Sequence, residues 1–211
     1  MPNSATTDVL VIDYGVGNVA SVCNALTRLG YTYTLSHDER AIAQAKAYIL
    51  PGVGAFKEAM QNLESRGIIP VLRREVMDKG KPLLGICLGM QVLAEDSTEY
   101  GSHSGLGFIP GHVVRIEERE GFPVPHVGWN EVAIKQKEPL FANIDGARFY
   151  FDHSYHFETL PEHIAATAEY GSAITAAVQR GNVFGVQFHP EKSQTSGLRI
   201  LRAFMNYVAS K

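Results

Sequence analysis

Strand and helix signals alternate through the first half of the chain, and a buried strand breaks into a helix at a cysteine flanked by glycines. The second half is a run of short strand-like segments. Together these predict an α/β fold with a mainly parallel central sheet flanked by helices and an additional antiparallel sheet. Residues 9–14 form an apolar run that stops at Gly15, and 18–29 carry apolar residues at helical spacing before Gly30, a residue suited to end a helix. The alternation continues with a strand at 31–35, a polar helix near 38–44, a strand at 47–50 and helical spacing through 56–77. A further strand at 82–86 and a helix over 88–94 meet at Cys87. Such alternation calls for crossover helices that cover both faces of a parallel sheet.

Beyond about Gly101 the texture changes to strand-like stretches at 111–116, 130–134, 148–152 and 164–169, punctuated by Gly and Pro. Residues 173–179 and 183–188 flank Arg180-Gly181-Asn182 and predict a hairpin turning at the glycine. The last helix is expected to start from a Thr195 or Ser196 cap and to bury Leu198, Leu201, Met205 and Val208 on one stripe. Residues 1–7 are small and polar and are expected to form a flexible tail ahead of one unit spanning 8–211.

With 211 residues, 45% hydrophobic and 19% charged, the chain has the composition of a globular protein able to bury a substantial core. A net charge of −3 with scattered Lys and Arg provides no basic field for nucleic acid or an anionic membrane. No stretch reaches the roughly 18 apolar residues a membrane helix needs. The N-terminal residues lack the basic and apolar regions of a secretory signal, so a cytoplasmic location is expected. There the two cysteines stay reduced. Cys23, beside Val22 and Leu26 in a helix, reads as a small buried hydrophobe.

Cys87 requires more. Gly85-Ile86-Cys87-Leu88-Gly89 has the glycine-x-nucleophile-x-glycine form, at the strand-to-helix junction such an elbow needs. A helix start favours thiolate there. A base is available in Phe188-His189-Pro190-Glu191, where His189 and Glu191 stand two apart at a strand end. Glu191 can fix the imidazole tautomer while the other ring nitrogen faces Cys87, which makes a Cys-His-Glu triad. Pro51-Gly52-Val53-Gly54 follows a neighbouring strand, so backbone amides of Val53, at the Gly52 turn, and Leu88 are assigned as donors to a developing oxyanion. Gly15-Val16-Gly17 falls short of a dinucleotide loop because position 20 is Ala20. The remaining histidines show no metal-ligand spacing.

The cysteine and histidine segments, extended through Met90-Gln91, resemble the class I, or triad, glutamine amidotransferases. Asp13 to Asn18, Gly105-Leu106-Gly107 through Pro110-Gly111, Pro125-His126-Val127-Gly128-Trp129-Asn130, His153-Ser154-Tyr155 and Glu191-Lys192-Ser193-Gln194 look like the glutaminase subunits of imidazole glycerol phosphate synthases. That resemblance runs from about residue 8 to the end.

The resemblance implies hydrolysis of L-glutamine to glutamate through a thioester on Cys87. The ammonia would pass to a cyclase subunit of (βα)8-barrel fold in a heterodimer that serves histidine biosynthesis. It implies no metal and no organic cofactor. By motif position it assigns Gln91, Glu99, Ser154 and Tyr155 to holding glutamine, and Asn18, Trp129, Asn130, Tyr150 and Lys192 to the cyclase interface. His126 and His153 stand apart from the other histidines on this resemblance alone. Asp152 departs from the apolar residue expected before His153. Three alternatives stay open on sequence: a subunit feeding another synthase, a silent binding module, and another thiol hydrolase built on the same elbow.

Overall fold

The computed structural model describes residues 9–142, 144 and 146–211; the expected tail at 1–7 lies outside them. Strand β1 (Val9–Ile12), helix α1 (Val19–Arg28), β2 (Thr34–Ser36), α2 (Glu39–Gln44) and β3 (Ala47–Gly52) follow the expected alternation. Asp38 caps α2, its carboxylate accepting from the amides of Arg40 and Ala41. The helical stretch expected over 56–77 is interrupted. Helix α3 (Phe56–Ser65) stops where Gly67 takes a left-handed φ of 67°, α4 (Ile68–Arg73) starts afresh, and a π-helical turn follows at Arg74–Asp78. That last turn buries Glu75 among Arg74, Lys79 and Lys81. Burial works against the Glu75 charge, but hydrogen bonds from the three cations prevail and hold its pKa at about 2.

Strand β4 (Leu83–Cys87) runs into α5 (Leu88–Gln91), a single turn rather than the expected helix over 88–94. The reason is local. The carbonyls of Val92, Leu93, Ala94 and Glu95 accept hydrogen bonds from the amides of 105–109, so the chain gives up helical pairing for a packed loop. Short strands β5 (Asp96–Ser97) and β6 (His103–Ser104), and then β7 (His112–Arg115), lead into the second half. Strand β8 (His126–Ile134) begins four residues before the stretch expected from 130. β9 (Arg148–His153) and β10 (Tyr155–Glu158) bracket Ser154. They are followed by β11 (Ile164–Glu169), β12 (Ala173–Arg180), β13 (Val183–Val186) and α6 (Gln194–Ala209).

Among the described residues the main sheet has nine strands in the order β2-β1-β3-β4-β13-β12-β11-β8-β9. The first five are parallel and the rest antiparallel, joined through the β12–β13 hairpin, which turns at Gly181 with a φ of 58°. Four strands, β10-β7-β5-β6, form the additional sheet. The expected α/β class therefore holds; β12, β11, β8 and β9 extend the central sheet, and the additional sheet is mixed rather than antiparallel throughout, because β5 and β7 run parallel. Two apolar clusters fill its faces, one beneath α1 and α6 and the other beneath α3 and α4. Helix α6 starts earlier than expected, with Ser193 before its first turn. The Ser193 hydroxyl donates to the His189 carbonyl and accepts from the Tyr150 amide, so it ties the helix start to the strand ends. Of the expected stripe, Leu201, Met205 and Val208 are buried and Leu198 partly so, joined by Ile200 and Phe204.

Candidate active site

Parallel register sets the site. Gly52 at the end of β3 stands beside Cys87 at the end of β4, and Val186 of β13 pairs with Ile86, so three strands deliver their following residues to one edge. At Cys87 the backbone turns sharply, with φ 54° and ψ −113°. A non-glycine residue there carries roughly 1–3 kcal/mol of strain. The turn fits only because Gly89 lacks a side chain: a Cβ there would fall 1.7 Å from the Leu50 carbonyl oxygen.

Cys87 and His189 are buried, and His189 Nδ1 lies 2.8 Å from Glu191 Oε1. Glu191 accepts from that nitrogen, which leaves Nε2 for the sulfur. Burial lowers the tendency of His189 to carry charge, yet hydrogen bonding to Cys87 and Glu191, with their charges, lifts its pKa to about 10. His189 is therefore placed to take the proton of Cys87 as the sulfur attacks and to hold it for a later step.

A cavity of about 300 Å³ opens on the sulfur, lined by residues that include Cys87, His189, Val53, Leu88, Gln91 and Glu99. Asp152, His153, Ser154 and Tyr155 also line it, the Asp152 carbonyl lying 3.9 Å from the Cys87 sulfur. All four residues assigned to glutamine thus border one space with the triad cysteine and histidine. Gln91 is buried, its amide nitrogen donating to the Tyr155 carbonyl at 2.9 Å and to Gln187 Oε1 at 3.0 Å. One oxygen of Glu99 accepts from the Phe56 amide at 2.6 Å, anchoring the start of α3 just after the Gly52-Val53-Gly54 turn. The first amides of a helix have no partner within it, which leaves Leu88 N–H, at the start of α5, available to an anion.

Trp129 and Tyr150 face each other across the β8–β9 pair with ring centroids 6.2 Å apart, and Lys192 lies 5.5 Å from the Tyr150 ring. The Lys192 ammonium is 4.0 Å from the Asp152 carboxylate, so the unexpected Asp152 acts as its counter-ion at the cavity mouth. Asn130 points to the opposite face of β8 and donates to the Glu169 carbonyl at 2.9 Å. Asn18 is half-buried at the start of α1, which packs against the turn carrying Lys192.

Three features escaped sequence reasoning. Gln187, fully buried, donates to Cys87 Sγ at 3.7 Å; its signal was an amide in an otherwise apolar strand, two residues before His189. His126 and His153 form a pair, Nδ1 to Nε2, at 3.0 Å. His153 Nδ1 donates to the Tyr155 carbonyl at 2.7 Å, and Asn130 Nδ2 lies 3.4 Å from His126 Nε2. With both rings neutral, every donor in this chain meets an acceptor. Burial enforces that state, lowering His126 to about 4 and His153 to about 3. The third is Tyr14, whose hydroxyl is buried without a partner among the described residues. No group of three or more His, Cys, Asp or Glu side chains able to hold a metal ion occurs among the described residues.

Residues 10–207 match the family of class I glutamine amidotransferases. The HisH subunit of imidazole glycerol phosphate synthase from Streptococcus gordonii is 52% identical over 200 residues, covering 95% of this chain and 96% of that one. Its counterpart from Listeria monocytogenes serotype 4a is 46% identical over 196 residues, 93% of this chain and 94% of that one. Among solved structures, a glutamine amidotransferase superposes with a TM-score of 0.75 at 22% identity, covering 95% of this chain and 98% of that one. PurLQS from Thermotoga maritima superposes with a TM-score of 0.71 at 20% identity, with the same coverage of 95% and 98%. At such identities these structures speak for the fold, and the HisH sequences for the closer kinship. The chain belongs to the class I glutamine amidotransferases and, within them, to the HisH subunits of imidazole glycerol phosphate synthase.

Proposed function

We propose that residues 8–211 act as one glutaminase unit in which Cys87 is the nucleophile, His189 the acid and base, and Glu191 the residue that orients the imidazole. The sulfur attacks the side-chain amide carbonyl of glutamine, and the oxyanion is met by the Val53 and Leu88 amides. His189 gives its proton to the departing nitrogen, releasing ammonia and leaving a glutamyl thioester. The imidazole then takes a proton from water as the water attacks. Glutamate leaves and the thiol is restored. Gln91, Glu99, Ser154 and Tyr155 hold the amino acid, and Gln187 supports Gln91 beside the sulfur.

The observation that carries this reading is the Cys87-His189-Glu191 arrangement opening on one cavity with those residues in its wall. In the cytoplasm the ammonia goes to a (βα)8-barrel cyclase subunit, which makes imidazole glycerol phosphate and aminoimidazole carboxamide ribotide. Delivery across a dry interface keeps ammonia from being protonated in bulk water. Exposed Val127 and Trp129, beside Tyr150 and Lys192 near the cavity mouth, support docking there, while Asn18 and Asn130 are assigned to the interface by the resemblance alone.

The test is glutamate release by the purified chain, alone and with the cyclase subunit and its nucleotide ligand. Release should rise several-fold in the complex and vanish in Cys87→Ala. Hydrolysis that survives that substitution would overturn the nucleophile assignment. Full turnover without the cyclase would overturn the coupling to a partner.

A further inference from the structure

We propose that the Tyr14 hydroxyl is a positioning group for the loop after β3, donating a hydrogen bond to the Gly52 carbonyl when the Val53 N–H turns toward Cys87. The inference rests on the glutaminase reading above. Tyr14 follows β1, which lies next to β3 in parallel register, and its side chain is fully buried. Its hydroxyl has no hydrogen-bond partner among the described residues. A buried donor without an acceptor is costly, so one should exist in a state the loop can reach.

The nearest backbone points to Gly52. A Cβ built on Gly52 would stand 2.5 Å from the Tyr14 oxygen, so the hydroxyl lies against the α-carbon of that glycine. The turn after Tyr14 supports the same place from behind: a Cβ on Gly17 would lie 3.4 Å from the Pro51 carbonyl oxygen and 3.6 Å from the Gly52 α-carbon. Gly15-Val16-Gly17, which failed as a nucleotide loop in sequence, is thus a buttress for the β3 loop.

A trans peptide is planar and points its C=O and N–H in opposite directions. Val53 lines the cavity and Tyr14 does not. Turning the Val53 N–H to the cavity therefore sends the Gly52 carbonyl to the buried side, where the phenol waits. Gly52 tolerates that rotation, whereas a side chain there would meet the phenol, the Gly89 amide nitrogen and the Leu88 side chain. Burial and the charge at Cys87 raise the phenol pKa far above its usual 10, so Tyr14 remains a donor throughout the working range of pH.

The experiment compares wild type and Tyr14→Phe in complex with the cyclase subunit, measuring glutamine hydrolysis, alkylation of Cys87 by iodoacetamide, and melting temperature. Loss of one hydrogen bond made only in the reactive loop state should lower kcat about fivefold to tenfold. KM and the alkylation rate should stay unchanged, and the melting temperature should hold or rise. Unaltered kcat would overturn the proposal, as would a parallel fall in alkylation, which would trace the effect to the elbow. A wild-type complex with no Cys87-dependent hydrolysis brings down the glutaminase reading and this proposal together; normal hydrolysis by Tyr14→Phe brings down this proposal alone.

Discussion

At His189 two opposed influences act on one proton: burial disfavours the charged ring, while Cys87 on one side and Glu191 on the other favour it. The balance predicts a response to mutation. In Cys87→Ala the sulfur partner is gone, and the His189 pKa should fall from about 10, as read from its ring resonances in an NMR titration. An unchanged value would mean that Glu191 alone sets it. The sign also fixes the pH range: a value raised from 6.5 to about 10 stabilises the fold fully below 6.5 and is lost as pH rises through about 10. At this scale the sequence was informative where residue types of known chemistry sit close together, as in Gly85 to Gly89 and His189 to Glu191. It was silent on the Gln91–Gln187 and His126–His153 pairs, whose members lie far apart along the chain and meet only through the sheets, and on Tyr14, whose burial against Gly52 is set by the packing of β1 beside β3.

Between β8, β9 and β10 that histidine pair joins the strand carrying Trp129 and Asn130 to the wall that carries Ser154 and Tyr155. Both values lie below 6.5, at about 4 and about 3, so the unfolded chain binds protons that the folded chain does not. The stability contributed by the neutral pair is complete above 6.5 and lost as pH falls through about 4 and then about 3. His153→Gln should flatten the fall in melting temperature between pH 6.5 and 4; an undiminished slope would place the effect elsewhere. Elements with long apolar runs, β1, β3 and β4, were legible because burial on both faces leaves an unbroken signal. Two-residue strands such as β5 and β6 leave no period to read, and the end of α3 at Gly67 hides inside continuous apolar spacing.

Across the whole molecule, residues 53, 87, 99, 154 and 189 reach one cavity because parallel strands end at the same edge and residues next to strands of the smaller sheet, Glu99 after β5 and Ser154 before β10, border it. The parallel half was readable from alternation. The joining of the antiparallel half to it depends on β13 pairing with both β4 and β12, a long-range choice that local sequence does not encode. The central claim is that this assembly carries out acyl transfer through Cys87, and the most direct measurement is the intermediate itself. Mixing the chain, its cyclase subunit and glutamine, quenching in acid during turnover and mapping the peptides by mass spectrometry should find a glutamyl group on the peptide containing Cys87, absent in Cys87→Ala. Steady turnover with no adduct at Cys87, or with the glutamyl group on another residue, would contradict the account.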